Sequence, residues 1–416
     1  MLFQNKRKSL SKRLWRARLP SASNNHHHQQ FHQQPMEITY SFIGTGGEGG
    51  GGARNVFRDC CSNATTTTAP STRVPSPNRN VAPEEYARYQ MFLELIGNLK
   101  DKQLETLNHA ISVECATSSN GDDLTATSNV KITSDCVLIP KGVCRTAEAH
   151  FIACQVWRWP DLRSFEELKR IPSCSSRQDP IYVCCNPAHW SRVCETETPP
   201  PPYDQIPMER LIDEHVQRYP GSLTYDGNEG SLGWAKLAYW EFDKRVGRQY
   251  PIVEPTINIF SEQVLHGDGL CLTALANHHH QGHCTQPSES VLKTRRKIGL
   301  GIILSRESDG VWLYNRSTSP VFVHSPTLNE IDFRQLNVLK VPPGHCLRAF
   351  DPYRASEQQT LQELQPGNVL AGGMQVGPID VYSFRISFAK GWGQNYSRQD
   401  VTRCPCWLQV MLSPSR

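Results

Sequence analysis

Residues 184–190 read CCNPAHW. Four residues separate Cys184 from His189, so one turn can direct a thiolate and an imidazole at the same metal ion. Cys136 and Cys174, on other elements, would complete a set of three thiols and one imidazole. That set is typical of a closed structural zinc site, which has no open position for water. Ordinary buried thiols are the alternative, because four more cysteines occur nearby: Cys144, Cys154, Cys185 and Cys194.

The cysteine content of the whole chain favours a reducing compartment. The 416 residues include 15 cysteines, an odd count, and the basic N-terminus lacks the apolar segment that a secretory signal needs. Disulfides are disfavoured in the cytosol and nucleus, so the thiols are expected to be metal ligands or small buried side chains. No apolar run reaches the roughly 20 residues that would span a bilayer.

The N-terminus is strongly basic, although the chain as a whole has a net charge of only +4. Five cations form its densest cluster: Lys6, Arg7, Lys8, Lys12 and Arg13. Such a cluster is typical of a nuclear-import signal or of a segment that binds an anionic surface or nucleic acid, and a solvated tail is the alternative. Residues 20–83 are rich in small and polar residues. Residues 1–83 are therefore predicted to be a disordered basic arm and low-complexity region.

Apolar periodicity divides most of the remaining chain into two predicted domains. From Pro83 onward the spacing predicts an amphipathic helix, and the apolar run Phe151–Trp157 is typical of a strand, so residues 84–196 are expected to form an α+β domain. Residues 231–416 are dense in strand patterns. Asp309-Gly310 favours a tight hairpin, and a helix is predicted at 353–365. This second domain is expected to be a β-sandwich with helical and loop caps.

The predicted linker at 197–230 contains four consecutive prolines followed by a tyrosine. Such a run favours an extended polyproline-II segment. Pro200, Pro201 and Tyr203 form a PPxY motif, which is typical of ligands for WW domains. A stiff spacer between domains is the alternative, although a spacer does not need the tyrosine at that position.

Other motifs provide little sign of catalysis. The sequence lacks a P-loop, an HExxH helix and a GxSxG elbow, so no enzymatic activity is expected. The tract His278–His280, with His283 and Cys284, is interpreted as a polar insertion loop rather than a second metal site.

Several longer blocks resemble the SMAD family of signal transducers. WRWPDL at 157–162, CCNPAHW at 184–190 and RVCE at 192–195 resemble its first MAD-homology domain. WAKLAYWEFDKRVG at 234–247 and SFAKGWGQNYSRQDVTRCPCW at 387–407 resemble the second. Together with PPPPY at 199–203 and KRLWRAR at 12–18, the pattern is most similar to the inhibitory members.

The resemblance implies ligands, partners and a compartment for this chain. It implies that Cys136, Cys174, Cys184 and His189 hold one structural zinc. It implies a basic surface that binds activated type I receptor kinases, with its positions at Lys293, Lys297, Lys390 and Arg398. Effector SMADs, both receptor-activated and common, and a HECT-type ubiquitin ligase that reads PPxY are the further expected partners. The expected location is the cytoplasm and nucleus.

Two departures from gene-activating SMADs indicate the branch. The interval 137–156, where those members carry a basic DNA-reading hairpin, is short and keeps only Lys141 and Arg145 as cations. The terminal segment 411–416 lacks the paired serines that receptors phosphorylate. The expected function is therefore antagonism of TGF-β/BMP (Dpp-type) signalling, and a DNA-binding transcriptional regulator or corepressor of the same family is the alternative.

Overall fold

The computed structural model describes residues 2–19, 83–119, 135–194, 233–261, 269–280, 286–328, 337–364 and 380–413. The predicted PPxY linker at 197–230 lies outside these ranges. Within them, no helix combines the length and the apolar character needed to cross a membrane.

The first domain combines helices with short strands, as expected for an α+β unit. Its helices are α1 (Leu2–Arg16), α2 (Pro83–Asn98), α3 (Asp101–Ser119) and α4 (Ala149–Trp157). Its strands are β1 (Leu138–Pro140), β2 (Leu168–Arg170), β3 (Tyr182–Cys184) and β4 (Trp190–Val193). The predicted strand at 151–157 is wrong, because this apolar run belongs to α4. Ile152, Ala153 and Val156 are fully buried, and a continuous apolar run does not distinguish a buried helix from a strand.

The expectation that residues 1–83 are disordered is wrong for residues 2–19. They form α1, whose Leu14 and Trp15 are 0% and 7% exposed. The Trp15 ring centroid lies 4.8 Å from that of Tyr89 and 4.9 Å from that of Phe92, both on α2. The indole of Trp157 donates a hydrogen bond to the Leu14 carbonyl oxygen at 2.9 Å. The basic segment is therefore part of the folded first domain.

The second domain is built on strands with helices at its margins, as predicted. Its first strands are β5 (Ala235–Glu241), β6 (Lys244–Ile252), β7 (Thr256–Phe260) and β8 (Gly269–Cys271). The central ones are β9 (Ile302–Glu307), β10 (Gly310–Asn315) and β11 (Val321–His324). The last are β12 (Leu339–Val341), β13 (His345–Phe350), β14 (Ser383–Phe388) and β15 (Trp407–Leu412). Its helices are α5 (Leu272–His280), α6 (Glu289–Ile298) and α7 (Pro352–Leu364).

Two sheets enclose the main core of the second domain. One has the order β12-β11-β14-β15-β5-β6, and the other runs β13-β10-β9-β7-β8 and continues into β4 and β2 of the first domain. The predicted hairpin at Asp309-Gly310 is confirmed, since β9 and β10 pair directly around it. Gly310 has φ 139°, and a Cβ there would collide with the Phe350 carbonyl, so the turn requires glycine.

Candidate metal centre and basic surface

The four predicted metal ligands meet at one place. The sulfurs of Cys136, Cys174 and Cys184 and one ring nitrogen of His189 all lie within 4.8 Å of one another. Cys136 precedes β1 and Cys174 follows β2, whereas Cys184 ends β3 and His189 closes the short 3-10 helix Pro187–His189. Pairing of β1 with β3 places Leu138 opposite Cys184, which brings the first and third ligand segments side by side.

The spacing of the ligand atoms fits a tetrahedral metal. The Cys136 and Cys174 sulfurs are 3.6 Å apart, and His189 Nδ1 lies 3.5 Å from the Cys136 sulfur and 3.4 Å from that of Cys184. Zinc–sulfur bonds of about 2.3 Å in a tetrahedron place the sulfurs about 3.8 Å apart. The residues present therefore form a closed site of the structural type, able to hold a metal such as zinc.

The protonation of the thiols also suits a metal site. A hydrogen bond with Cys184 is the main cause that lowers the pKa of Cys136 to about 5 and the pKa of Cys174 to about 3. The same contacts raise the pKa of Cys184, and a bound metal would hold the thiols as thiolates. The hydroxyls of Ser175 and Ser176 lie 3.2 Å and 3.3 Å from the sulfurs of Cys136 and Cys174 respectively.

Three of the four neighbouring cysteines are ordinary buried thiols. Cys185 is fully buried in the hydrophobic core of the first domain, and its sulfur donates to the Val137 carbonyl oxygen at 3.3 Å. Burial raises the pKa of Cys185 to about 12. Cys144 and Cys154 belong to the same core. Cys184, the ligand predicted from the sequence, is the thiol that faces His189 Nδ1, at 3.4 Å.

The import candidates lie on α1 and are partly engaged in ion pairs. Lys6 Nζ lies 2.6 Å from a Glu105 carboxylate oxygen, and Arg7 lies 2.7 Å from Asp101. Arg7 also donates to the carbonyl oxygens of Ile96 and Leu99. Lys8, Lys12 and Arg13 complete the cluster on the same helix.

The predicted receptor-binding cations fall into two pairs in the second domain. Lys293 and Lys297 are exposed on α6, where Lys293 pairs with Glu289 at 2.7 Å. The basic run that contains both lysines lies within this helix. Lys390 and Arg398 flank a compact loop that contains the glycines of the GWG turn. The loop is closed by a bond from Gly393 N to the Arg398 carbonyl oxygen at 2.7 Å.

Aromatic side chains pack closely against that loop. Trp392 is 2% exposed and packs in one cluster with Phe322, Cys404 and Trp407. The ring of Tyr396 covers Gly391 so closely that a Cβ there would have to displace it. Lys390 and Arg398 are both half-buried. Beyond the loop, the Cys406 sulfur donates to the Val291 carbonyl oxygen of α6 at 3.8 Å.

Sequence reasoning missed the role of Arg295, which lies inside the same basic run. Arg295 is 5% exposed and donates through Nε to Glu241 at 2.9 Å. Glu241 also accepts from the Tyr239 hydroxyl at 2.8 Å. The buried pair fixes α6 on the sheet and turns Lys293, Arg296 and Lys297 to solvent. Helical spacing of the run would have been the signal, had its helix been predicted.

The remaining predicted features have clear outcomes within the described residues. Residues 137–156 contain β1, a turn and the start of α4, and no hairpin of the DNA-reading kind. His278–His280 ends α5, which corrects its interpretation as a loop, and the one metal-like group in the described ranges is the Cys3His cluster. His283, Cys284, Pro200, Pro201 and Tyr203 lie outside those ranges.

Comparison with known proteins identifies both domains. The MH1 domain family matches residues 89–194, and the MH2 domain family matches residues 233–413. Mothers against decapentaplegic homolog 7 of Mus musculus is 34% identical over 446 residues, which cover 99% of this chain and 100% of that protein. Homolog 6 of Gallus gallus is 37% identical over 350 residues, 77% of this chain and 74% of that protein.

A solved structure of the interferon regulatory factor 9 IAD domain covers 43% of this chain and 81% of its own, at a TM-score of 0.29 and 12% identity. A TM-score this low does not indicate a shared fold. The domain matches define a protein with paired MAD-homology domains. With relatives of the homolog 6 and homolog 7 type over most of its length, the chain belongs to the SMAD family, in its inhibitory branch.

Proposed function

We propose that this protein antagonises TGF-β/BMP signalling of the Dpp type by occupying activated type I receptor kinases, or their effector SMADs. The observation that carries the proposal is the loop at 390–398, which begins at Lys390, ends at Arg398 and is packed on an aromatic cluster. A phosphorylated receptor segment is strongly anionic, and fixed cations form charge-assisted hydrogen bonds with phosphate without first being ordered. Lys293 and Lys297 extend the positive charge along α6.

Charge reversal tests this proposal. The full chain is titrated against the phosphorylated cytoplasmic domain of a type I receptor, in competition with a receptor-activated SMAD. Lys390→Glu with Arg398→Glu is expected to abolish binding while the melting temperature is unchanged, and added salt should weaken wild-type binding. The matched control is Arg306→Glu with Arg354→Glu, two exposed cations of the same domain, which should still displace the competitor. Equal displacement by both double variants would refute the proposal.

We also propose that the metal is one structural zinc held by Cys136, Cys174, Cys184 and His189. The distances and the low pKa of two thiols support it. When bound, zinc would supply a cross-link between three separate segments of a small domain, and its binding energy becomes folding energy. Four protein ligands leave no position for an activated water, which supports a binding protein rather than an enzyme.

The proposed route to ligase recruitment is the PPxY motif. A polyproline-II segment is already extended, so docking into a WW domain costs little ordering entropy. Calorimetry with an isolated WW domain of a HECT-type ligase tests this. Tyr203→Ala is expected to abolish binding, whereas Pro207→Ala, outside the motif, should bind as wild type does. Equal affinity of Tyr203→Ala and wild type would leave the spacer interpretation.

The proposed location is the cytoplasm and nucleus, where thiols stay reduced and the α1 cations can serve nuclear import. Because α1 is packed as a helix, its cations are not freely available to an import receptor. An importin that reads an extended basic segment must first release Arg7 from Asp101 and from the carbonyls at the end of α2.

A further inference from the structure

The two domains share one β-sheet. Strand β4 of the first domain lies parallel to β13 of the second, with Arg192 opposite His345 and Val193 opposite Cys346. Cys194 N donates to the Cys346 carbonyl oxygen at 2.8 Å, and Arg192 N donates to that of Gly344 at 3.1 Å. The first domain thus occupies the edge that β13 would otherwise leave unpaired.

One carboxylate of the second domain anchors this contact. Glu307, at the end of β9, forms ion pairs with two cations of the first domain. Its Oε2 lies 3.0 Å from Lys169 Nζ and 2.7 Å from Arg177 Nη2. The Tyr314 hydroxyl donates to the same side chain at 2.7 Å. Lys169 also lies over the Trp312 ring, with Nζ 3.8 Å from its centroid. These groups are largely screened from solvent, so the charge pairing is stronger than at an open surface.

The metal ligands belong to the same contact. Cys174 and Cys184 form one buried cluster with Ile171 of their own domain and with four residues of the second domain: Ile303, Trp312, Tyr314 and Cys346. Arg177 N donates to the Cys174 carbonyl at 3.1 Å, and Ile171 N donates to that of His189 at 3.0 Å. β4 begins directly after His189. Arg177 and β4, through which the first domain contacts the second, are therefore each joined directly to a metal ligand.

We propose that the Cys3His centre organises the docking of the two domains, so that zinc binding and docking reinforce each other. The inference rests on the proposed zinc and goes beyond the proposed function. A metal that fixes Cys174 and His189 on one point also fixes Arg177 and β4 relative to each other. Coupling of this kind is reciprocal: zinc favours docking by the same factor by which docking favours zinc binding, so a change in the second domain that opposes docking must weaken zinc binding.

The test measures zinc affinity of the full chain by competition with a chromogenic chelator, after zinc stoichiometry is established by mass spectrometry. Glu307→Lys places a third cation against Lys169 and Arg177, and we expect it to weaken zinc binding by about fivefold or more. Glu289→Lys, the same change at an exposed position of the second domain, should leave the affinity unchanged.

A second variant restores the charge pairing between the two domains. Adding Lys169→Glu and Arg177→Glu to Glu307→Lys reverses the whole charge set and should return zinc affinity toward the wild-type value. Failure of this rescue would assign the loss to damage within the second domain and overturn the proposal. Unchanged affinity in Glu307→Lys, with one zinc per chain, would overturn the coupling alone. A folded wild-type chain without zinc would overturn the zinc proposal as well.

Discussion

Adjacent cysteines in this protein have opposite environments. Cys184 faces His189 Nδ1 at 3.4 Å, whereas Cys185 faces the core and the Val137 carbonyl. Spacing alone could predict the Cys136, Cys174, Cys184 and His189 set, because ligand spacing reflects turn geometry. It could not predict that Cys185 would belong to the core of the first domain, because that depends on the pairing of β3 with β1, a contact across more than forty residues of chain.

This difference gives a matched pair of variants. Cys184→Ser should lose stoichiometric metal and lower the thermal stability of the first domain, because three remaining ligands form an incomplete shell. Cys185→Ser should keep one metal per chain, although a hydroxyl in a dry core costs some stability. Metal analysis with thermal melts checks both, and metal loss from Cys185→Ser alone would contradict the assignment of the ligands.

At the scale of elements, α1 is where sequence reasoning failed most clearly. Leu10, Leu14 and Trp15 lie on one face of the helix, but seven cations in the first 20 residues dominated its composition. Its partners on α2 follow more than sixty residues later, so no local pattern links them. By contrast α2 was predicted, since Pro83 and two acids in its first turn are local signals.

Truncation of Trp15 tests the docking of α1. Trp15→Ala should destabilise the first domain by about 3–5 kcal/mol, as expected for a buried indole that packs on two aromatic rings. Arg16→Ala changes the next, exposed residue and should have little effect. Urea unfolding measures the stability of each variant, and hydrogen exchange measures the protection of α2. Equal stability of the two variants would mean that α1 is not part of the domain.

Helix α6 contains a second matched pair. Arg295→Ala would leave Glu241 as a buried charge without its partner and should cost about 3–5 kcal/mol. Arg296→Ala, at the next and exposed position, should leave stability near the wild-type value while reducing the positive charge of the proposed receptor surface. Chemical denaturation of the full chain measures the stability of both variants. A destabilising Arg296→Ala with a neutral Arg295→Ala would contradict the placement of the helix.

At the scale of the molecule, the two domains and their order could be predicted because their tryptophan-rich blocks are long and specific. Their shared sheet could not. It depends on a two-residue pairing of β4 with β13 and on Glu307, Lys169 and Arg177, which are unremarkable surface-type residues in the sequence. The domain pairing places Cys174 and Cys184 against residues of the second domain, while the basic loop at 390–398 follows a strand of the other sheet of the sandwich.

In the proposed function, the chain bridges an activated receptor and a ubiquitin ligase, with a separate surface for each. The direct measurement is recovery of a WW-domain ligase fragment on immobilised, phosphorylated type I receptor. Wild type should recruit the fragment, Tyr203→Ala should bind receptor without it, and Lys390→Glu with Arg398→Glu should recruit neither. Ligase recovery that persists with Tyr203→Ala, or receptor binding that persists in the folded double variant, would contradict the account.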